Sequence, residues 1–409
     1  MMQKLPQYLL RTLFHYQPTE NWMNYANYYE GYYHLFHQYN QSMSLWGPNM
    51  SWAHDVSKHL IHWVYFEIVS EPDQWYDAMG VWSGSSTIGT DGAPSIIYTG
   101  LPFPIPEDDG NWVFRVGSVI QETNTTGVAY LFKSKDLKHW ELVDNRLYTL
   151  PGSGIWECID FYHPDPSSQN YVLKASLFNT QHDVYALGSY ESAAHKFIPD
   201  NPELDFFGFQ SSRYDYGRVY ASDSFFEPVK QRHIVLSWVN ETDAEELELQ
   251  RGWSGFLTIP QTVAVDSKTG VNFINWPIEE VESLRISEQL DMEVFFYYPD
   301  VSIDGVVTDE ADSMNDQLNC NQGGASLLPG VDLHVYGNPV HMLPTEDFLS
   351  LCILWKALHG GSLVVTSRVY PTVAIGDLAN LYLFNNGMTP ITVRSITTWH
   401  MSQAIMTPY

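Results

Sequence analysis

The sequence predicts an all-β protein built from many short strands joined by frequent turns. Short runs of aromatic and β-branched residues recur along the 409 residues, the composition that fits a pleated surface. Clusters of Gly, Asp, Asn and Pro separate those runs, as at residues 90–94 and 108–111. Sustained helical periodicity is hard to find.

Taken in order, residues 32–39, 61–69, 95–98, 128–133, 172–177, 184–190, 219–225 and 233–239 read as strands. The pattern changes near Trp276, where Pro277 opens a short helix-like segment, and an acidic, poorly periodic run spans 300–321. A chain of 409 residues is long enough for two or three domains. The boundary is placed here, giving domains 12–284 and 285–409. Beyond it, residues 362–370, 372–375, 381–384 and 391–399 alternate like sandwich strands, with Asn385-Asn386-Gly387 as a hairpin turn.

Lys and Arg total 20 against 48 Asp and Glu, a formal net charge of -28. Such a surface repels phosphate backbones and anionic lipid, which argues against nucleic-acid or membrane partners and suits a neutral ligand. No run of 18 apolar residues offers a membrane span. The 14 Trp and 26 Tyr fit a β-sheet protein first and stacking on sugar rings second. The three cysteines lack metal-ligand spacing; Cys320 and Cys352 can pair on a secretory route, leaving Cys158 outside the pair. Sequons at Asn40, Asn49, Asn124 and Asn240 fit that route. Lys4 and Arg11 flank a short apolar run without a small-residue cleavage site, so no signal peptide is recognisable.

The chemistry centres on Trp156-Glu157-Cys158-Ile159-Asp160-Phe161. An acid between a tryptophan and a cysteine has the apolar sequence neighbours expected around a general acid. One carboxyl group does not make a glycosidase, so the function turns on whether Glu157 has a partner.

Several stretches resemble plant glycoside hydrolase family 32, the acid invertases, fructan exohydrolases and fructosyltransferases. They are Asn21-Trp22-Met23-Asn24, Tyr33 to Asn40, Trp52-Ala53-His54, Trp82-Ser83-Gly84-Ser85, Trp156-Glu157-Cys158, Arg213-Tyr214-Asp215-Tyr216-Gly217, Trp276 to Glu280 and Thr366 to Pro371. Pro72 to Asp77 and Asn240 to Asp243 lean to the vacuolar-type branch. The resemblance runs in order from about Arg11 to Met401.

It implies a five-bladed β-propeller followed by a β-sandwich, a vacuolar or extracellular location, a small fructose-containing substrate and no cofactor or metal. It also implies a retaining mechanism, in which two carboxyl groups about 5 Å apart serve as nucleophile and acid/base. Glu157 matches the acid/base, and Asp160 a neighbouring aspartate suited to supporting hydrogen bonds. Gln38, Trp46 and Trp82 match positions lining a fructose pocket, Ser83 follows Trp82, and Asn24 lies beside the nucleophile position. Ordinary propeller core is the alternative role for Trp82.

Three departures qualify the resemblance. Where the family reads Trp-Met-Asn-Asp-Pro-Asn-Gly, this chain continues from Asn24 through Tyr25-Ala26-Asn27-Tyr28, and no aspartate precedes Asp55. Tyr25 lacks the supporting base that a tyrosine nucleophile uses, and Glu30 reads as a solvated loop charge. The Arg-Asp-Pro motif that stabilises the transition state is absent; the spacing from Trp112 to Gly117 makes Arg115 a strand residue. Phe178 and Asn179 stand where related invertases carry acids that position glucose. The propeller is therefore expected to be incomplete and the sandwich shortened.

Losing members of a catalytic unit removes most of its effect. The expected function is a β-fructofuranosidase relative with impaired catalysis. Two alternatives stand beside it: a non-catalytic fructoside-binding or regulatory protein, and an incomplete translation of an active invertase or fructosyltransferase gene.

Overall fold

The computed structural model describes residues 11–292, 334–336, 352–358, 363–369 and 396–408, apart from residues 13, 25–26, 30, 76, 89–93, 99–104, 107–110, 144–145, 166–167, 202–211, 243, 268–269 and 271. Tyr25, Glu30, Cys320, the acidic run 300–321, the expected strands at 372–375 and 381–384 and the turn at 385–387 lie outside them. Among the described residues strands dominate, with one α-helix, Glu245–Arg251, and a 3-10 helix, Glu279–Leu284. Among the described residues, no helix is long and apolar enough to cross a membrane.

Five sheets follow one another along the chain. The first is an antiparallel meander of Asn21–Asn24, Tyr32–Asn40, Met50–Ser57 and Trp63–Ser70. Gly84–Ile88 and Pro94–Tyr98 form the second, the smallest of the five among the described residues. Trp112–Val119 and Thr126–Ser134 carry the third. The fourth runs Trp156–Tyr162, Tyr171–Leu177, His182–Glu191, Lys196–Pro199. Val219–Glu227, Arg232–Val239, Gln261–Val265 and Phe273–Pro277 build the fifth.

The leading strands pack on one another: Trp156–Tyr162 lies against both Trp112–Val119 and Val219–Glu227. The ring closes where Trp253 and Ser254 pair in parallel with Asn21 and Trp22, and the Leu257 amide donates to the Tyr16 carbonyl at 3.0 Å. Five sheets closed in a ring form a five-bladed β-propeller, an arrangement that leaves few sheet edges exposed.

Alternation along the strands builds the contacts between blades. Tyr33 and Leu35 of the first blade meet Ile234 and Leu236 of the fifth in one buried cluster. Val113 and Leu131 of the third meet Trp156 and Leu173 of the fourth in another. Each such side chain contributes about 1.5–3 kcal/mol by burial. Trp156 fits because two neighbours are glycines: a Cβ on Gly127 would lie 2.1 Å from its indole nitrogen, and one on Gly117 2.6 Å from its carbonyl oxygen.

Beyond the ring, Arg285–Met292 pairs with Ile396–Met401, and Cys352–Leu358 lies between His334–Tyr336 and Leu363–Val369. Leu363–Val369 is stitched to the propeller. The amides of Tyr216 and Arg218 donate to the carbonyls of Val364 and Thr366, each at 2.8 Å. Asp215 accepts from the Thr366 amide at 2.8 Å, the Thr366 hydroxyl at 2.6 Å and the Gly217 amide at 2.7 Å. Met406–Pro408 then returns to pair in parallel with the outer strand of the first blade.

The expected strands of the propeller are present with ends displaced by a residue or two, and the segment after Pro277 is the 3-10 helix Glu279–Leu284. The α-helix Glu245–Arg251 is an addition. Its seven residues are too few to display a periodic face. Its readable signals are Glu245, Glu246 and Glu248 in the first turn and Gly252, left-handed at φ 75°, at the end.

Candidate active site

Glu157 is the second residue of the leading strand Trp156–Tyr162 and is half-buried. Trp156 beside it is fully buried, its indole N–H donating to Ser153 Oγ at 2.8 Å. The Tyr220 phenol, from the leading strand of the fifth blade, donates to Glu157 Oε2. Burial, followed by the negative charge of Glu157, raises the Tyr220 pKa and keeps its proton in place. Tyr220 is therefore the donor and Glu157 the acceptor.

Two β-bulges bring these side chains together. Register shifts lie between Glu157 and Asp160 on one strand and between Tyr220 and Asp223 on the other. At them Cys158 and Ala221 take left-handed φ of 45° and 53°, a strained conformation for residues with a Cβ. Lys174, fully buried, staples both bulges. Its ammonium donates to the Cys158 carbonyl at 3.0 Å, Ser222 carbonyl at 2.5 Å and Ser176 Oγ at 2.9 Å. Asp183 lies 3.8 Å from that ammonium and accepts from the amides of Ala221 at 3.1 Å and Ser222 at 2.6 Å. A buried charge is tolerated only when paired and hydrogen-bonded in this way.

Asp160 and Asp223 also face this region. Burial raises both carboxyl pKa values, and the Asp160 charge raises that of Asp223 further. Two neighbouring carboxyls whose charges repel hold a proton more tightly than either alone.

The remaining candidates gather on the first and second blades. Gln38, buried, lies opposite Asn24 in the sheet, and its amide donates to Ser83 Oγ at 2.6 Å. The Trp82 carbonyl accepts from the Trp52 indole at 2.8 Å, fixing the chain next to Ser83. The rings of Trp46 and Trp82 lie 5.4 Å apart at 38°, with Trp46 63% exposed. A buried amide, a hydroxyl and two aromatic faces suit a polyhydroxylated ring, which needs both hydrogen bonds and stacking.

The departures have structural places as well. Arg115 is a strand residue, with its guanidinium 4.4 Å from the Phe161 ring centroid. Asn179 Oδ1 accepts from the Ile155 amide at 3.1 Å, and a Cβ on Gly154 would lie 2.1 Å from it, so Asn179 braces the approach to Glu157. Phe178 is exposed. Tyr220, Lys174 and Asp183 are the residues that sequence reading passes over. Only Lys174 announces itself, as a lone charge within the apolar run Tyr171–Leu177.

A closed all-β ring with a carboxyl group and an aromatic platform on its leading strands and their connections has the layout of a propeller-type carbohydrate-active protein. The model for the glycosyl hydrolases family 32 N-terminal domain matches residues 15–103 and 101–277, and the chain belongs to that family. It is 32% identical to an acid beta-fructofuranosidase of Solanum lycopersicum over 531 positions, covering 96% of this chain and 82% of the relative. To the vacuolar acid beta-fructofuranosidase 4 of Arabidopsis thaliana it is 31% identical, covering 98% and 80%. Because 531 aligned positions exceed the 409 residues present, blocks of the tomato relative stand opposite gaps in this chain. The structure of fructan 1-exohydrolase IIa from Cichorium intybus superposes with a TM-score of 0.78 at 24% identity, covering 98% of this chain and 99% of that one, and supports the fold.

Proposed function

We propose that this family 32 protein is an invertase-like fructoside binder whose catalysis is impaired, with a propeller domain at 12–284 carrying the site and a sandwich domain at 285–409. Glu157 is the acid/base residue, and Asn24, Gln38, Trp46, Trp82 and Ser83 hold the fructose unit. The observation that carries this reading is the absence of any aspartate before Asp55, where a retaining enzyme needs its nucleophile. Rate enhancements of 10⁶ or more require about 8 kcal/mol of barrier lowering, which an acid/base without a nucleophile does not supply.

A small carbohydrate ligand is supported by the family and by related structures solved with 1-kestose and with sucrose. The vacuolar relative supports a vacuolar location. Purified protein assayed on sucrose, levan and inulin at pH 5 should show no turnover above background, and Glu157→Gln should change nothing. Ordinary invertase turnover that Glu157→Gln abolishes overturns the reading. Calorimetry with fructose should show saturable binding that Trp82→Ala weakens.

The gapped alignment favours one second reading, in which the gene encodes an active invertase or fructosyltransferase and this sequence lacks coding blocks. A full-length transcript across Asn24 and Gly100 decides between them: restored Asp-Pro-Asn and Arg-Asp-Pro motifs establish the active enzyme.

A further inference from the structure

We infer that the chain carries N-linked oligosaccharides at Asn49 and Asn124, and that the fold excludes them from its two other sequons, at Asn40 and Asn240. The inference rests on the secretory route that a vacuolar location implies, not on what occupies the sugar site.

An asparagine followed two residues later by serine or threonine is the acceptor for a lipid diphosphate-linked oligosaccharide on that route. The side-chain amide nitrogen bonds to the anomeric carbon, the bond from that carbon to the diphosphate oxygen breaks, and the amide gives up one proton. Lipid diphosphate leaves, and nothing is oxidised or reduced. Transfer takes place on the extended chain, but the folded protein must then hold a saccharide larger than any side chain. The native surroundings of each asparagine therefore decide which sequons a folded molecule can carry occupied.

Asn124 meets that requirement. It lies on the turn between Trp112–Val119 and Thr126–Ser134, where residues 121–125 are all exposed. Its φ of 51° is left-handed, a conformation that asparagine tolerates well. The turn is held by other groups. The Asn124 backbone N–H donates to the Ile120 carbonyl at 2.8 Å, the Thr126 N–H to Thr123 Oγ1 at 3.2 Å, and the Gly154 N–H to the Thr125 carbonyl at 3.0 Å. None of these bonds uses the Asn124 side chain, so a saccharide attached there breaks none of them. Asn49 is built alike: exposed, left-handed at φ 65°, and fixed through its backbone N–H, which donates to the Met79 carbonyl at 3.0 Å.

The other two sequons are closed. Asn40 is fully buried, its Nδ2 donating to the Leu45 carbonyl at 3.0 Å and its Oδ1 accepting from the Ser42 N–H at 3.0 Å and the Ser42 hydroxyl at 2.9 Å. A saccharide on that nitrogen would force open a close-packed strand end. Asn240 is half-buried, and Glu241 after it is locked in place. The Glu241 carboxylate lies 3.4 Å from the Arg251 guanidinium, both side chains 2% exposed, and accepts from the Gly255 N–H at 3.3 Å. A saccharide stem on Asn240 would have to pass this joint, and parting a buried ion pair is strongly destabilising.

Peptide mass spectrometry of the folded chain, purified from its own tissue and from a secreting plant host, tests the inference. Digestion with a peptide N-glycosidase in heavy-oxygen water turns each occupied asparagine into labelled aspartate. Label is expected at Asn49 and Asn124 and at neither Asn40 nor Asn240. Thr126→Val keeps Asn124 but removes the hydroxyl that the acceptor needs, so it should lose the Asn124 label and gain gel mobility by one glycan, with an unchanged circular dichroism spectrum. Asn40→Gln should leave the label pattern as it is and lower the melting temperature, because it disturbs a buried set of hydrogen bonds. Label at Asn40 or Asn240, or its absence from Asn49 or Asn124, overturns the inference. Label at Asn124 that survives Thr126→Val reports deamidation and overturns it as well. Label in the host with none from the protein's own tissue overturns the secretory route and the inference with it. Sugar binding plays no part in these readouts, so each failure leaves the fructoside reading standing.

Discussion

At the scale of single residues, the site is organised by a fully buried lysine. Lys174 holds two bulge carbonyls and faces Asp183, and so fixes the backbone that presents Glu157 and Tyr220. Lys174→Met leaves Asp183 and both carbonyls buried without their cation and should cost about 3–5 kcal/mol in urea denaturation. The double variant with Asp183→Asn should recover part of that loss; simple addition of the two single effects would mean the pair is not coupled. Gly127 poses the opposite problem, crowding. Gly127→Ala drives a methyl into the Trp156 indole and should destabilise by about 1–3 kcal/mol through overpacking. The flanking residues single out Glu157 as a candidate, whereas nothing in the sequence singles out its hydrogen-bond partner Tyr220 or the supporting Asp183. Their roles come from bulges that shift register, and nothing in the strand pattern marks where a bulge falls.

At the scale of elements, alternation and turn clusters located eight of the sixteen strands named for the five blades, each burying one face against a neighbouring blade, and passed over others such as Met50–Ser57, Trp156–Tyr162 and Phe273–Pro277. The short α-helix escaped, being shorter than the period that would reveal it. The joint between Leu363–Val369 and residues 215–218 could not be read either, since it is made by backbone pairing and one carboxyl group. Burial pushes that carboxyl, Asp215, up from 3.8 to about 7, against the opposing effect of its hydrogen bonds to Thr366 and Gly217. The folded pKa is raised, so the folded state binds more protons than the unfolded chain between these values, and stability falls as pH rises. Asp215→Asn should remove about one proton's worth of that slope, about 1.4 kcal/mol per pH unit, between pH 4 and 7. An unchanged slope in denaturation midpoints would show that Asp215 ionises freely in the folded protein.

At the scale of the whole molecule, two sets of buried and half-buried groups pull stability in opposite directions. Asp215, Asp160 and Asp223 have raised pKa values, chiefly through burial, and favour the folded state in acid. His54, His182 and His233 are lowered from 6.5 to about 4, also chiefly through burial. Their contribution is present above pH 6.5 and is lost as pH falls toward 4, because the unfolded chain then binds the protons. Between about pH 4 and 6.5 the two sets oppose one another, so stability should be nearly flat. Above 6.5 the histidines are neutral in both states, only the carboxyls still respond, and stability should decline. Self-repulsion within a chain of net charge -28 adds to that decline. Urea midpoints measured from pH 4 to 9 should therefore show a plateau on the acid side followed by a fall. A maximum at pH 8 would mean that the buried carboxyls ionise without cost, and that the protein is not built for an acidic compartment.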